Sequence, residues 1–186
     1  MAEKSEIRNP KSEMAFVALG SNLGDSRKII LEAMARLQNF SDQPILKSSL
    51  WQTPPVDCPP GSPTFINAIV GLLPRKGESP ESLLEKLRSL EKEFGRQPKK
   101  VPNEPRPLDL DLIAFGAETR PAAPKRSEGG NTPELILPHP RARLRRFVLA
   151  PLSEIAPELF LPGQRKTVSE LLAELHNGEI VKRLDG

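Results

Sequence analysis

The sequence is poor in sulfur and in aromatic rings. A lone cysteine, Cys58, cannot close an internal disulfide, which points to a reducing compartment, and the cytoplasm is the expected location. No apolar run approaches the ~20 residues needed to span a bilayer. The stretch from Met1 to Glu13 is polar and mixed in charge, without the apolar core of a signal peptide, and is expected to be a tail. With only His139 and His176 for histidines, zinc spacing is absent, no Cys–His pairing is suggested, and no G-x-S-x-G occurs. What is abundant is proline, 21 of 186 residues, against an average of about 5%. Most of these prolines fall in three loops. With 37% apolar and 27% charged residues the composition excludes collagen-like, coiled-coil and fully disordered chains. The length fits one domain, expected over residues 14–186.

Periodicity orders the rest. Met14 to Gly20 is a nearly continuous apolar run, as in a buried strand. Asp25 can cap a helix from Ser26 to about Phe40 with the stripe Ile30, Ala33, Met34 and Leu37. Strands are predicted over Ile45–Gln52, with Trp51 in the core, and over Thr64–Leu73. The proline-rich stretch Thr53 to Pro63 between them is stiff and irregular. Ser79-Pro80 opens a second helix with the stripe Leu83, Leu84, Leu87, Leu90 and Phe94, closed by Gly95. A strand follows over Leu108–Phe115, and residues 117–133 read as a mobile insertion. A helical segment around Val148 to Ile155 and a capping box, Thr167 with Glu170, complete the chain. The order βαββαβ predicts an α+β, ferredoxin-like sandwich, an antiparallel sheet with helices packed on it, plus a C-terminal extension.

The net charge of +3 says little, but its distribution says more. From Arg96 to Arg146 there are eleven Lys/Arg against six Asp/Glu, a basic block with acids embedded in it. That suits a polyphosphate carried with a metal ion, and equally an RNA backbone. Within the block, Leu108-Asp109-Leu110-Asp111-Leu112 alternates strictly, so the two aspartates share the strand face opposite the leucines. At a rise of about 3.3 Å per residue, their carboxylates stand roughly 6–7 Å apart. With Mg²⁺ they become hard oxygen ligands beside a phosphate chain. Gly20 to Asp25 follows a strand and precedes a helix, yet Asp25 stands where a phosphate loop needs lysine, so a tight turn with a cap is expected. His176 reads as solvated. His139, between prolines and before an arginine cluster, reads equally as a donor to a phosphate and as part of a packed turn.

Several segments then occur in order: Ala18-Leu19-Gly20-Ser21-Asn22-Leu23-Gly24-Asp25, Phe65-Ile66-Asn67-Ala68, Pro105-Arg106-Pro107-Leu108-Asp109-Leu110-Asp111, Leu137-Pro138-His139-Pro140-Arg141 and Arg145-Arg146-Phe147-Val148-Leu149-Ala150-Pro151-Leu152. Together they resemble the 6-hydroxymethyl-7,8-dihydropterin pyrophosphokinases of folate biosynthesis. The resemblance implies an ATP-dependent diphosphokinase that moves the β,γ-pyrophosphoryl unit of ATP onto the pterin hydroxymethyl group and releases AMP. It implies two Mg²⁺ ions held by Asp109 and Asp111, one bridging the α- and β-phosphates, the other the β-phosphate and the attacking hydroxyl. Arg96 and Arg106 match catalytic, phosphate-holding positions, and Glu91, His139 and Arg145 match the remainder of the ATP site. Phe65 and Phe147 match the two faces that stack the pterin, Asn67 its hydrogen-bonding edge, and Thr53, Pro55 and Val56 a loop offering mainly backbone groups.

The chain departs from the familiar pattern after Arg96. Pro98 and Pro102 stand where some members carry arginines, so Lys99 and Lys100 are expected to serve the ATP instead, with Asn103 reaching the pterin. Glu104 replaces a glycine, and Arg88 a glutamine. A monomer is expected, with no nucleic-acid or membrane partner. Two alternatives stand beside this reading: an RNA-binding ferredoxin-like module using the basic block, and a family member that binds its ligands without turnover.

Overall fold

A computed structural model describes residues 10–55, 58–98, 101, 103–122 and 135–184. The apolar run forms β1 (Ala15–Ser21), which pairs antiparallel with β4 (Phe65–Leu72) on one side and β5 (Asp109–Phe115) on the other. The sheet continues past β4 to β3 (Trp51–Thr53) and β6 (Lys182–Arg183), giving the order β5-β1-β4-β3-β6, with β2 (Leu46–Lys47) also on β4. Helices α1 (Ser26–Leu37) and α2 (Pro80–Glu93) cover one face. Both begin where local chemistry dictates: Asp25 accepts from the Lys28 N–H and Ser79 from the Ser82 N–H, each at 3.1 Å. The apolar stripes then seat Ile30, Leu37, Leu83 and Leu87 fully out of water, each contributing about 1.5–3 kcal/mol.

The expected βαββαβ order and antiparallel α+β sheet are thus present. The C-terminal extension adds a second helical layer on the opposite face, α3 (Arg146–Ile155) and α4 (Val168–Glu174), over Phe16, Ile69 and Ile113. The Thr167–Glu170 capping box opens α4. Strand β6 had no signal in the sequence.

Three expectations change in detail. The strand over Ile45–Gln52 is two pieces, because the partner register on β4 slips by one residue between Lys47↔Val70 and Trp51↔Asn67. At that bulge Ser48 Oγ accepts the Ile69 N–H at 2.9 Å, so the ladder donor stays satisfied. Trp51 leaves the core: it is half-buried on β3, between β4 and β6, with its indole N–H donating to Glu154 Oε2. The first helix ends at Leu37, and residues up to Phe40 tighten into a 3₁₀ turn.

A second bulge lies in β5. Phe16 pairs with Ala114 but Val17 pairs with Leu112, which leaves Ile113 as an extra residue. Its carbonyl accepts the His139 N–H at 2.8 Å. Below the bulge, alternation holds as predicted: Leu108, Leu110 and Leu112 pack toward α1 and α2, and Asp109 and Asp111 face the other way. Helix α3 covers only part of that other face. The uncovered end carries Gly20, Phe65, Asn67, Asp109 and Asp111. The reading of 117–133 as an insertion lies largely outside the described residues; Arg120, near its start, forms an antiparallel bridge with Leu137 beyond it.

Candidate active site

The uncovered end of the sheet is the floor of a cavity of about 530 Å³. Three strands supply the floor in one row, since Gly20 of β1 pairs with Asn67 on one side and Asp109 on the other. Gly20 keeps the row open, because a Cβ there would stand 3.4 Å from Asn67 Oδ1 and point into the space between the two side chains. Phe65 and Phe147 both line the cavity, one from β4 and one from the first turn of α3. Asn67 is buried and oriented by a 2.9 Å bond from its Nδ2 to Thr53 Oγ1.

Cations surround the two carboxylates. Arg96 Nη1 lies 2.6 Å from Asp109 Oδ1 and Arg106 Nη2 lies 2.8 Å from Asp109 Oδ2, so each oxygen has its own guanidinium. Arg145 stands 4.0 Å from Asp111. The same arginines cover the aromatic walls, Arg106 at 5.4 Å from the Phe65 centroid and Arg145 at 5.2 Å from that of Phe147. Enclosure in the cleft, then the adjacent Asp109 charge, push the Asp111 carboxyl above the usual carboxylate range, against the pull of His139 and Arg145. Burial lowers the His139 imidazole. Its Nδ1 faces the Arg141 N–H at 3.3 Å and accepts from it, which places the proton of the neutral ring on Nε2. Arg106 Nε is buried and has no hydrogen-bond partner among the described residues.

Thr53, Phe65, Asn67, Asn103, Arg106, Asp109, Asp111, Arg145 and Phe147 all line the one cavity. Arg96 instead lines an adjoining space of about 220 Å³, reached past Arg106, which borders both. Glu91 lies behind β5, only 7% exposed, with the Leu110 N–H donating to its Oε1 at 2.7 Å and Arg96 paired to the same oxygen. In this arrangement it supports Arg96 and the strand that carries the aspartates. Burial pushes its carboxyl up to about 7. Pro55 is half-buried in its loop, where Pro54 is the proline that reaches the cavity. Val56, Lys99 and Lys100 lie outside the described residues.

Sequence reasoning passed over Asn22. It is 2% exposed and bonds the Arg106 backbone in both directions, besides donating to Pro63 O. It also passed over Asn177 to Ile180, which border the cavity from the C-terminal segment. No local period marks either.

Two carboxylates on one open face are hard oxygen donors, too few for a closed protein site. Among the described residues no third His, Cys, Asp or Glu joins them. That donor set fits Mg²⁺, which keeps several waters and shares its coordination with phosphate oxygens.

Residues 16–157 match the family model of 7,8-dihydro-6-hydroxymethylpterin-pyrophosphokinase (HPPK). The chain belongs to this family. Among HPPK relatives, the 2-amino-4-hydroxy-6-hydroxymethyldihydropteridine pyrophosphokinase of Bacillus subtilis is 35% identical over 149 residues, 80% of this chain and 81% of that protein. The Folic acid synthesis protein fol1 of Pneumocystis carinii is 34% identical over 169 residues, 91% of this chain but 21% of that protein. In fold, the chain is similar to an HPPK-DHPS triple mutant of Plasmodium falciparum solved with pteroate, with a TM-score of 0.67 at 15% identity, covering 87% of this chain and 43% of that one. The chain therefore spans about a fifth of the Pneumocystis protein and under half of the Plasmodium chain.

Proposed function

We propose that this chain transfers the β,γ-pyrophosphoryl group of ATP to the hydroxymethyl oxygen of 6-hydroxymethyl-7,8-dihydropterin, a step of folate biosynthesis, releasing AMP. The observation that carries the reading is the convergence, in one cavity, of an aromatic pair (Phe65, Phe147), an oriented amide (Asn67) and two carboxylates ringed by arginines. The first two suit a flat heteroaromatic ring with a donor–acceptor edge. The last suits a phosphate chain and its cation.

In this reading the pterin enters between Phe65 and Phe147 with its polar edge against Asn67, and its hydroxymethyl group points toward Asp109 and Asp111. Arg106 and Arg145, which cover the two rings in the free protein, turn their forks onto phosphate oxygens. The Nε of Arg106, without a partner among the described residues, is a donor ready for one of them. Arg96 approaches the polyphosphate from the adjoining space, held in orientation by Glu91. His139 supplies its Nε2 proton as a further donor. Lys99 and Lys100 complete the basic wall, and Asn103, Thr53 and the loop of Pro55 and Val56 close the pterin end. Asp109 and Asp111 would hold Mg²⁺, two ions by expectation, which supplies charge neutralisation on the phosphates and acidifies the attacking hydroxyl. No protein nucleophile is required. The protein aligns two substrates and excludes water from the reacting groups.

A single pyrophosphokinase domain from residue 14 onward, working as a monomer, is the reading carried forward from the sequence. Among the described residues no helix is long and apolar enough to cross a membrane. The single Cys58 supports a cytoplasmic setting.

The deciding experiment incubates the purified chain with ATP, Mg²⁺ and the hydroxymethyl-dihydropterin, with an EDTA control. AMP and pterin pyrophosphate are expected in equal amounts and only with metal. ADP as the product, or turnover insensitive to EDTA, contradicts the reading.

A further inference from the structure

Helix α3 begins at the cavity with a residue unable to cap it. Its N-cap position is Arg145, whose side chain has donors and no acceptor, and no side-chain cap bond forms there from within the segment. The acceptor comes from elsewhere. Glu179 Oε2 takes the Arg146 N–H at 2.6 Å, and its negative charge lies at the positive end of the helix. Two further bonds join the same stretches: Asn177 Nδ2 donates to Leu144 O at 2.9 Å, and the Arg146 guanidinium to Leu175 O at 2.8 Å. Asn177 Oδ1 in turn accepts the Glu179 N–H at 3.1 Å, so the turn that presents the carboxylate is itself braced.

These bonds fall on either side of Arg145, on Leu144 and on Arg146. Arg145 and Phe147, one residue apart on each side of the capped N–H, form one wall of the ligand cavity. From Glu179 the chain continues into β6, which pairs with β3 through Trp51↔Arg183 and Gln52↔Lys182. β3 in its turn pairs Thr53 with Phe65 of the opposite wall. The C-terminal segment thus runs as a strap from one aromatic wall to the strand behind the other.

We propose that Glu179 is a positioning residue for the pterin site, acting through the first turn of α3, and that the strap from Asn177 to Arg183 sets the width of the slot between Phe147 and Phe65. The inference rests on the pyrophosphokinase reading. A slot set too wide loses the stacking contacts made with both faces of a flat ring. Most of the ATP side, Arg96, Arg106 and the aspartates, is carried by β5 and the loops next to α2 and β5, away from the strap, and of its described cations only Arg145 stands at the strap-held turn.

The test compares the wild-type chain with Glu179→Ala, Glu179→Gln and Asn177→Ala, measuring KM for each substrate, kcat and Tm. For Glu179→Ala the KM for the pterin is expected to rise about tenfold and that for ATP less than twofold. Glu179→Gln, which keeps an amide oxygen for the Arg146 N–H, is expected to restore the pterin KM to within about threefold of wild type. Asn177→Ala removes the second brace and is expected to move the same constant by about threefold, so the inference remains testable if Glu179→Ala fails to fold. A lowered Tm with both KM values unchanged identifies an ordinary helix cap and overturns the inference. So does an equal rise in both KM values. A wild-type chain that forms no AMP overturns the activity and this inference with it, which separates that failure from the previous two.

Discussion

Asn22 and Arg106 are joined backbone to side chain and backbone to backbone. The Arg106 N–H donates to Asn22 Oδ1 at 2.9 Å, and the Asn22 N–H donates to Arg106 O at 3.2 Å. The pair ties the turn after β1 to the loop before β5, and so fixes the arginine that borders both cavities. Asn22→Ala leaves the half-buried Arg106 N–H without its acceptor, at a cost of about 1–3 kcal/mol. The expected outcome is a Tm lower by several degrees, at about 2–4 °C per kcal/mol for a chain of this size, together with a fall of about a hundredfold in kcat/KM. Asn22→Asp, which retains the acceptor, is expected to recover most of the Tm. Thermal unfolding and steady-state rates on the two variants check this.

Asp109 and Asp111 make different demands on their neighbours. Asp109 pairs with two arginines at 2.6 and 2.8 Å, whereas among the described residues the ion pair of Asp111 is a 4.0 Å approach from Arg145. Either change to alanine is expected to lower kcat by about 10²–10³, the scale of losing several kcal/mol of charge stabilisation in the transition state. Asp109→Ala is expected to lower Tm as well, since it removes the carboxylate between Arg96 and Arg106 and leaves Arg96 with Glu91, and Asp111→Ala to leave Tm near wild type. Rates measured across a Mg²⁺ titration, with unfolding curves on the same preparations, test the contrast.

Gly20 offers a separation of stability from binding. A Cβ at this position meets only ordinary contacts, the nearest at 3.4 Å, and a β-branched residue suits a central strand. Gly20→Val is therefore expected to fold with a Tm within a few degrees of wild type. Its methyl groups occupy the floor between Asn67 and Asp109, so pterin affinity is expected to fall by at least tenfold. A pterin titration that finds wild-type affinity contradicts this placement of the ring.

Glu91 carries a pH signature. Burial raises its carboxyl to about 7 in the folded chain, from an ordinary 4.5. The unfolded chain therefore releases this proton first as pH rises. The stability linked to the protonated group is complete below about pH 4.5, declines through pH 7, and is gone above it. The difference is on the order of 3 kcal/mol. Glu91→Gln, which keeps an acceptor for the Leu110 N–H, is expected to lose less stability between pH 5 and pH 8 than wild type. Denaturant unfolding at the two pH values measures it, and parallel losses in both proteins reject the assignment.

Much of the site was legible because its chemistry lies along short stretches. The alternation of Leu108 to Leu112 placed both aspartates on one strand face, and the structure has them there beside Phe65 and Asn67. Glu91 on its own reads as an ordinary helix-face carboxylate, and only the family resemblance marks it; its burial behind β5 and its bond to Leu110 were not legible. In the proline-rich loop Thr53 and Pro54 line the cavity and Pro55 does not, and no period in such a loop says which residue turns inward.

The sequence by itself determined the elements whose causes are local. Caps at Asp25, Ser79 and Thr167 act over three residues, and the helix stripes and the β5 alternation act over one or two turns or pleats. Those interactions are the same in any surroundings, so they can be read one segment at a time. Only the tertiary structure decided the bulge at Ile113, the division of the second strand at Ser48, the place of Trp51 outside the core, and β6. It alone joined Asn22 to Arg106 across 84 residues and Glu179 to Arg146 across 33. A bulge is a mismatch between two strands, and a remote cap needs an acceptor delivered by another segment. Neither is a property of the residues that show it, and each appears only when the partner is in place.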